Sequence, residues 1–238
     1  MSSRSSFLQR ALAPKTVKVS VHFDPGGTSL SEQVDIVTYL KQQEVSRIIY
    51  AGDLKIEEIA RLARHFSRVQ GLGEAEILRE IPTVLKKITS RPSAEPNSTK
   101  YSKDILRFMR TLEVIDDEFY LTLDGERLCR YLETDRQRYL DYSAKLLLTR
   151  AGWVAVVREL DQLRRGLFYA ASQTLLMDTL MDNLKASGLM KRNDSWRVDA
   201  LINCLVSLRI LKHWDAVQKR FDVDLNRLYD VLVRKTFT

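Results

Sequence analysis

Two stretches of the chain place the same kinds of segment in the same order. Residues 104–131 and residues 196–230 each predict an amphipathic helix, a two-residue apolar β step, a polar hairpin and a return to helix. A repeated order of this kind indicates that one supersecondary unit is used twice in the fold. The equivalent positions are Leu112 with Leu208, Val114 with Ile210, and Ile115 with Leu211.

The composition is that of a folded protein with a cationic excess. A chain of 238 residues with 45% hydrophobic residues can form one large domain or two small ones. The net charge of +7 favours contact with a polyanion. Cys129 and Cys204 stand among apolar residues in predicted helices, which indicates buried thiols and a reducing compartment. We expect a cytoplasmic protein with no membrane contact, because no run of about 20 apolar residues occurs and residues 1–13 lack a secretory pattern.

The segment pattern predicts a mainly α fold with short β-hairpins, in three parts. Residues 1–52 form an N-terminal strand–helix segment of unclear role, with alternating valines in a strand over 15–23 and a helix from Thr28 or Ser29 to about Gln43. Residues 53–138 form the first repeated unit, and residues 139–238 form a helical connector, with one long helix over residues 139–162, and the second unit. The loop at 89–99 is a long turn inside the first unit, with a domain boundary as the alternative.

The helix expected over residues 100–112 has an apolar face and a cationic face. At 100° per residue, one side carries Ile105, Phe108, Met109 and Leu112, and the opposite side carries Lys100, Lys103, Arg107 and Arg110. Arg91 in the preceding loop adds another cation. Such a helix suits the phosphates of double-stranded DNA, and arginine can also bind guanine edges. The alternative is an ordinary solvated face of the kind that Arg61, Arg64 and Arg68 also form.

The equivalent helix at residues 196–210 is different, because its outer face carries no cation. That face consists of Trp196, Asp199, Asn203 and Ser207. Asp199 repels phosphate, so this face suits a protein partner or a second copy of the chain. The following hairpin carries Lys212, His213, Lys219 and Arg220, which leaves a phosphate contact open there.

The order of helix, strand, hairpin and strand resembles the second half of a winged helix-turn-helix, over residues 74–131 and more loosely 168–233. The tandem arrangement is similar to winged-helix accessory subunits of prokaryotic chromosome-maintenance and phage-defence complexes, and to modules attached to ATPases and restriction systems. The resemblance implies a non-catalytic DNA-binding protein, either a regulator or the DNA-binding subunit of a larger assembly. The alternative is an accessory subunit that docks proteins in a defence or chromosome-maintenance ATPase complex. In this scheme Asp124 and Gly125 form the tight turn at the far end of the first wing.

A third hypothesis is a metal-dependent nuclease. Asp53, Leu54 and Lys55 form an acid-x-lysine triplet after a possible strand at residues 47–50, and Asp24 or Asp35 would complete a magnesium site. The competing interpretation is that Asp53 caps the next helix. The three histidines show no metal-ligand spacing. In the main, non-catalytic interpretation we therefore expect no bound metal, no cofactor and no catalytic residue.

Overall fold

Helices make up most of the described chain, which confirms the predicted mainly α class. The computed structural model describes residues 16–22, 29–35, 43–49, 55–69, 72–89, 99–165, 172–191, 195–218, 220–234 and 237. Only the backbone is described for the two strands and for residues 99, 164, 165, 195–197 and 234. No helix within these ranges is long and apolar enough to span a bilayer.

The N-terminal part contains an antiparallel hairpin. Strand β1 (Thr16–His22) confirms the strand that alternating valines predict, and it pairs with β2 (Ser29–Asp35). The helix expected from residue 28 or 29 is therefore wrong over β2. The two apolar residues of β2, Leu30 and Val34, lie four apart, a spacing that fits one face of a helix as well as one face of a strand. The register places Val34 opposite Val17 and Leu30 opposite Val21, so pairing with the valines of β1 decides the structure. Residues 36–42, where the predicted helix would continue, lie outside the described residues.

The described residues of the first unit contain the helices α1 to α4. Helices α1 (Ile56–Arg68), α2 (Glu74–Ile88) and α3 (Thr99–Thr111) contact one another, and α4 (Leu123–Thr134) packs against α1. Helix α1 forms because Ile59, Leu62, Ala63 and Phe66 recur at helical spacing, and all four are buried in the shared core.

A glycine divides the long helix that the sequence predicts over residues 139–162. The chain forms α5 (Arg136–Thr149) and α6 (Val154–Arg165) instead. Gly152 adopts a φ of +72°, which L residues with a side chain rarely adopt, and a Cβ there would lie 2.7 Å from the Arg47 carbonyl oxygen. The break therefore lets the N-terminal segment approach the backbone between the two helices.

The second unit contains α6, α7 (Gln173–Ala186) and α8 (Ser195–Ser207), with α7 in contact with both neighbours. Helix α9 (Leu225–Tyr229) follows, and a π-helical turn over Asp230–Arg234 packs on α5. Residues 43–49 run along this unit in an extended path. The Ile48 amide donates to Leu189 O at 3.1 Å, and the Ile49 amide donates to Ala151 O at 3.0 Å. Part of the N-terminal segment thus packs against the second unit, although the strand predicted at 47–50 does not form over its described residues, 47–49.

The two repeated helices end in the same backbone geometry. After α3 and α8, Glu113 and Arg209 adopt left-handed φ values of +53° and +60°. The amide of the next residue donates to the carbonyl five residues back, from Val114 to Met109 and from Ile210 to Leu205, both at 3.0 Å. This closure satisfies helix-end carbonyls and directs the following apolar residues into the core.

Each repeated helix is followed by a short antiparallel return. Ile115 bridges Leu121 in the first unit, and Leu211 bridges Val223 in the second, with a further bridge between Asp215 and Arg220. These are isolated bridges, so the predicted wing strands do not form as strands in the described parts of the two returns. Exposed acids at residues 116–118 interrupt the first return, and exposed Lys212 and His213 follow the first bridge residue of the second, so the buried apolar run ends directly after Ile115 and Leu211.

The turn predicted at Asp124 and Gly125 is wrong, because both residues lie in the first turn of α4. Thr122 caps this helix by accepting from the Gly125 amide at 3.1 Å. The first return instead turns at Asp116, whose carboxylate accepts from the amides of Glu118 and Tyr120 at 3.0 and 2.9 Å. Gly125 is needed for close packing, since a Cβ there would lie 2.0 Å from the Val114 carbonyl oxygen.

Replacing Gly125 by alanine is expected to destabilise the protein by about 1–3 kcal/mol, because backbone atoms must move to admit the methyl group. Urea denaturation followed by circular dichroism measures the change. Gly73→Ala is the matched control, since the nearest atom to its Cβ lies 3.9 Å away. Equal destabilisation of the two variants would contradict the close-approach explanation.

Candidate nucleic-acid interface

Helix α3 presents its cations because its opposite face is fully committed to the core. Ile105, Phe108, Met109 and Leu112 are all buried, as the helical wheel predicts. Lys100, Lys103 and Arg107 are exposed, and none of the three makes an ion pair with a described side chain. We call these three residues the α3 cations. They lie three and four residues apart on one side of the helix.

Arg110 has a different environment from the α3 cations, although the sequence places it in the same stripe. Its guanidinium binds the Glu74 carboxylate at 3.1 Å and the Asp117 carbonyl at 3.3 Å. It also lies over the Phe119 ring, 5.0 Å from the ring centre. Arg110 therefore ties α3 to the start of α2 and to the following turn, and its charge is largely neutralised. Arg91, the fifth predicted DNA-binding residue, lies outside the described residues.

A shallow cleft runs along α3 where it meets the start of α2. Lys103, Arg107 and Arg110 line it from α3, and Glu74 lines it from α2. The Glu74 carboxylate is occupied by Arg110, so it opposes an incoming anion less than an unpaired acid would. The cleft thus presents a cationic wall to solvent.

The turn after α3 has the opposite charge. Asp116, Asp117 and Glu118 are exposed, and the Asp117 side chain is 97% accessible. These carboxylates repel phosphate. Among the described residues around α3, the surface that suits a nucleic acid therefore lies at the α3 cations and excludes the acidic turn at residues 116–118.

Arg150 of the connector fixes the end of α3. One guanidinium nitrogen donates to the Leu112 carbonyl at 2.7 Å, and the other binds Glu113 at 3.0 Å and also Asp124. The Tyr142 hydroxyl donates to the same Asp124 carboxylate. Partial burial by itself raises the pKa of Asp124, but the bonds from Tyr142 and Arg150 outweigh it and hold the pKa below its ordinary value of 3.8.

The end of the chain packs on this network. The Phe237 ring lies 4.9 Å from the Tyr142 ring and 6.4 Å from the Tyr131 ring. The Lys145 ammonium sits over the same ring at 5.2 Å. Burial, and then the Asp124 carboxylate, raise the pKa of Tyr142, so its hydroxyl stays protonated and keeps donating to Asp124 at neutral pH. These contacts join Phe237 to the helix that supports the α3 end.

In the second unit, α8 buries Leu201 and Leu205, and Leu208 directly after it is also buried, while Cys204 is only half-buried. Asp199, Asn203 and Ser207 lie exposed along the outer face, whereas the Trp196 side chain lies outside the described atoms. The Ser207 hydroxyl donates back to Cys204 O at 2.7 Å, so it is already engaged.

A buried ion pair anchors the end of α8. Arg227 binds the buried Asp141 carboxylate of α5, and its Nε lies 3.5 Å from the Leu208 carbonyl oxygen. Arg150 and Arg227 thus serve equivalent carbonyls in the two units. Sequence reasoning missed both arginines, because they lie 38 and 19 residues from the carbonyls they contact and no local motif connects them.

Most of the residues in the nuclease hypothesis lie outside the described part of the chain. This applies to Asp53, to Asp24 and to the side chain of Asp35. Helix α1 begins at Ile56, so the N-cap predicted at Asp53 is wrong; the cap is Lys55, whose amide donates to Glu58 at 2.8 Å. Among the described residues, no group of three or more histidines, cysteines or acids is placed to hold a metal ion.

Comparison with protein-family models, with curated proteins and with solved structures gives no match for this chain.

Asp124→Asn is expected to lower the free energy of unfolding by about 1 kcal/mol at neutral pH, because partly exposed charge-assisted hydrogen bonds to Tyr142 and Arg150 weaken. A carboxyl whose folded pKa is lowered stabilises the protein above its unfolded pKa and loses this effect as the pH falls through the folded value. The difference between wild type and variant should therefore be constant from about pH 5 to 8 and shrink below the ordinary value of 3.8.

Urea titrations across this pH range measure the effect. Asp182→Asn, at an exposed acid of α7, serves as the control and should change stability little at any pH. A penalty for Asp124→Asn that persists undiminished at pH 3 would show that the carboxylate charge is not its source.

Proposed function

We propose that the protein binds double-stranded DNA without catalysis, through the α3 cations. The observation that carries this proposal is the contrast along α3: Lys100, Lys103 and Arg107 are exposed without a described ion-pair partner, while the helix is anchored by four buried apolar residues. A helix with this distribution fits the major groove, which is about 12 Å wide. Lysine and arginine side chains there contact phosphates, and arginine can also donate to guanine.

Two winged-helix units, one in residues 53–138 and one in residues 139–238, form part of the proposal. The repeated helix closures at Glu113 and Arg209 support it, as do the antiparallel bridges that follow each closure. Three mutually contacting helices precede the first bridge, which is the order expected of a winged helix. The wings in this proposal are short, because each return is held by one or two bridges.

The charge distribution limits how α3 would meet DNA. The acidic turn at Asp116, Asp117 and Glu118 must stay away from phosphates, so the N-terminal half of α3 approaches the duplex. Arg110 keeps its structural contacts with Glu74 and Asp117 in the bound state. The affinity then comes chiefly from a few phosphate contacts and depends strongly on salt.

The proposed role is that of a regulator or of the DNA-binding subunit in a larger assembly. A second candidate function is protein docking, as the accessory subunit of a defence or chromosome-maintenance complex. The exposed face of α8 favours this candidate, since Asp199, Asn203 and Ser207 add no cation to that surface. Docking there is compatible with DNA binding through α3, because the two faces belong to different units.

Replacing Lys103 and Arg107 by alanine together is expected to weaken DNA binding at least tenfold in low salt. The slope of log affinity against log salt should fall by about 0.9 for each phosphate that the protein no longer neutralises, or by about 1.8 in the double variant. Fluorescence anisotropy with a labelled duplex, between about 50 and 200 mM salt, measures both quantities. Arg110 is left intact because its removal would disturb the fold.

Arg68→Ala with Lys185→Ala removes the same charge from α1 and α7 and provides the matched control. This control should keep the wild-type slope to within about 0.5, since general charge effects are small beside direct neutralisation of phosphates. If both double variants bind DNA equally weakly, binding is non-specific attraction to a basic protein. If neither changes, α3 has no part in DNA binding.

A further inference from the structure

The second unit contains an open groove between α7 and α8 that the proposed DNA contact does not use. Met177, Met181 and Val198 supply its apolar surface, and Asp178 and Asp199 stand at its edges. Met177 and Val198 are largely buried, Met181 is half-buried, and both aspartates are exposed. The groove therefore has an apolar floor and acidic rims.

The acidic rims carry charge that no described cation neutralises. Elsewhere several surface acids are held by arginines, as Glu57 is by Arg136 and Glu133 is by Arg64. Asp178 and Asp199 make no ion pair with any described side chain, and neither does Asp182, one turn further along α7. The protein has a net charge of +7, yet these three acids form a local negative surface that no described side chain neutralises.

The groove follows one face of α7 for about two helical turns. Thr174, Met177, Asp178 and Met181 line it from α7 at a spacing of i, i+3, i+4 and i+7. This stripe covers about two helical turns, or about 10 Å. A third helix can lie in the space between two packed helices, with its apolar stripe on the floor and its flanks beside the rims. Methionine side chains adapt to such a ligand because they are flexible and polarisable.

We propose that this groove binds an amphipathic helix of a partner protein, with a leucine- or methionine-rich stripe flanked by lysine or arginine. The proposal rests on protein docking, the second candidate function, and names the chemistry of its partner. Charge complementarity identifies the occupant: lysines on the flanks pair with Asp178 and Asp199, whereas a nucleic acid or an acidic helix is repelled. Binding at this groove leaves the α3 cations accessible.

The test uses a designed helical peptide of about 18 residues, with leucine at i, i+3, i+4 and i+7 and lysine on the flanks. Fluorescence anisotropy in about 0.15 M salt measures its binding to the whole protein. We expect saturable binding that weakens at least tenfold in the Asp178→Lys, Asp199→Lys variant. A benzophenone on the peptide's apolar face should crosslink to Met177 or Met181, as mass spectrometry of the digest can show.

The matched control is Glu118→Lys with Glu126→Lys, which makes the same charge change at two exposed acids of the first unit. This control should bind the peptide nearly as tightly as the wild type. A twin peptide with glutamine in place of lysine should bind at least tenfold more weakly. Absence of saturable binding, equal weakening in both double variants, or crosslinks outside α7 and α8 would each overturn the proposal.

Two further measurements separate this proposal from its alternatives. Sedimentation of the protein alone should show no self-association that depends on Asp178 and Asp199; a dimer that disappears in their double variant would make a second copy the occupant and overturn the proposed partner. DNA affinity should stay within about threefold of wild type in that variant, since the changed residues lie outside the proposed DNA surface. Failure of the Lys103 and Arg107 prediction alone would remove α3 from DNA binding and leave the groove proposal standing.

Discussion

The contact between Arg150 and the Leu112 carbonyl holds the first unit in its working shape. The turn that closes α3 contains Glu113, which adopts a left-handed φ although it is not glycine. This backbone conformation costs about 1–2 kcal/mol. The Arg150 guanidinium offsets this cost by binding the last carbonyl, Glu113 and Asp124 at once. Because Asp124 lies in the first turn of α4 and also accepts from Tyr142 of α5, the contacts of this one cation connect the end of α3 with α4 and α5.

The arginines of this chain divide into those that build the fold and those that the fold leaves exposed. Arg110, Arg150 and Arg227 are held by carboxylates and carbonyls, and these contacts make them poorer ligands for an outside anion than an unpaired arginine. Arg107 shares a helix with Arg110 but has no described acidic partner. A row of cations on a helical wheel can therefore contain both paired structural arginines and exposed arginines that are available to a ligand. Only the tertiary contacts of each side chain distinguish the two.

The two units repeat their backbone and differ in their surfaces. Both units repeat the left-handed helix closure, the two apolar residues that follow it and the antiparallel bridge. These features recur because each buries an aliphatic side chain directly after the end of a helix. The outer residues are under no such constraint. The first unit exposes cations on α3, and the second exposes acids beside an apolar groove, so the proposed division between DNA and a helical partner lies in the side chains outside the repeat.

The sequence by itself determined the helical class, the buried face of α3 and the equivalence of Leu112 with Leu208, because apolar spacing and local backbone preference are short-range properties. It misplaced the helix at 29–35, the turn at Asp124 and Gly125, and the unbroken helix across Gly152, because each depends on a neighbour distant in the chain: a paired strand, the Val114 carbonyl and the Arg47 carbonyl. The engagement of Arg110 and the roles of Arg150 and Arg227 were also decided by tertiary structure alone. Ion pairs between elements depend on where packing places each side chain, and no spacing within a helix encodes that position.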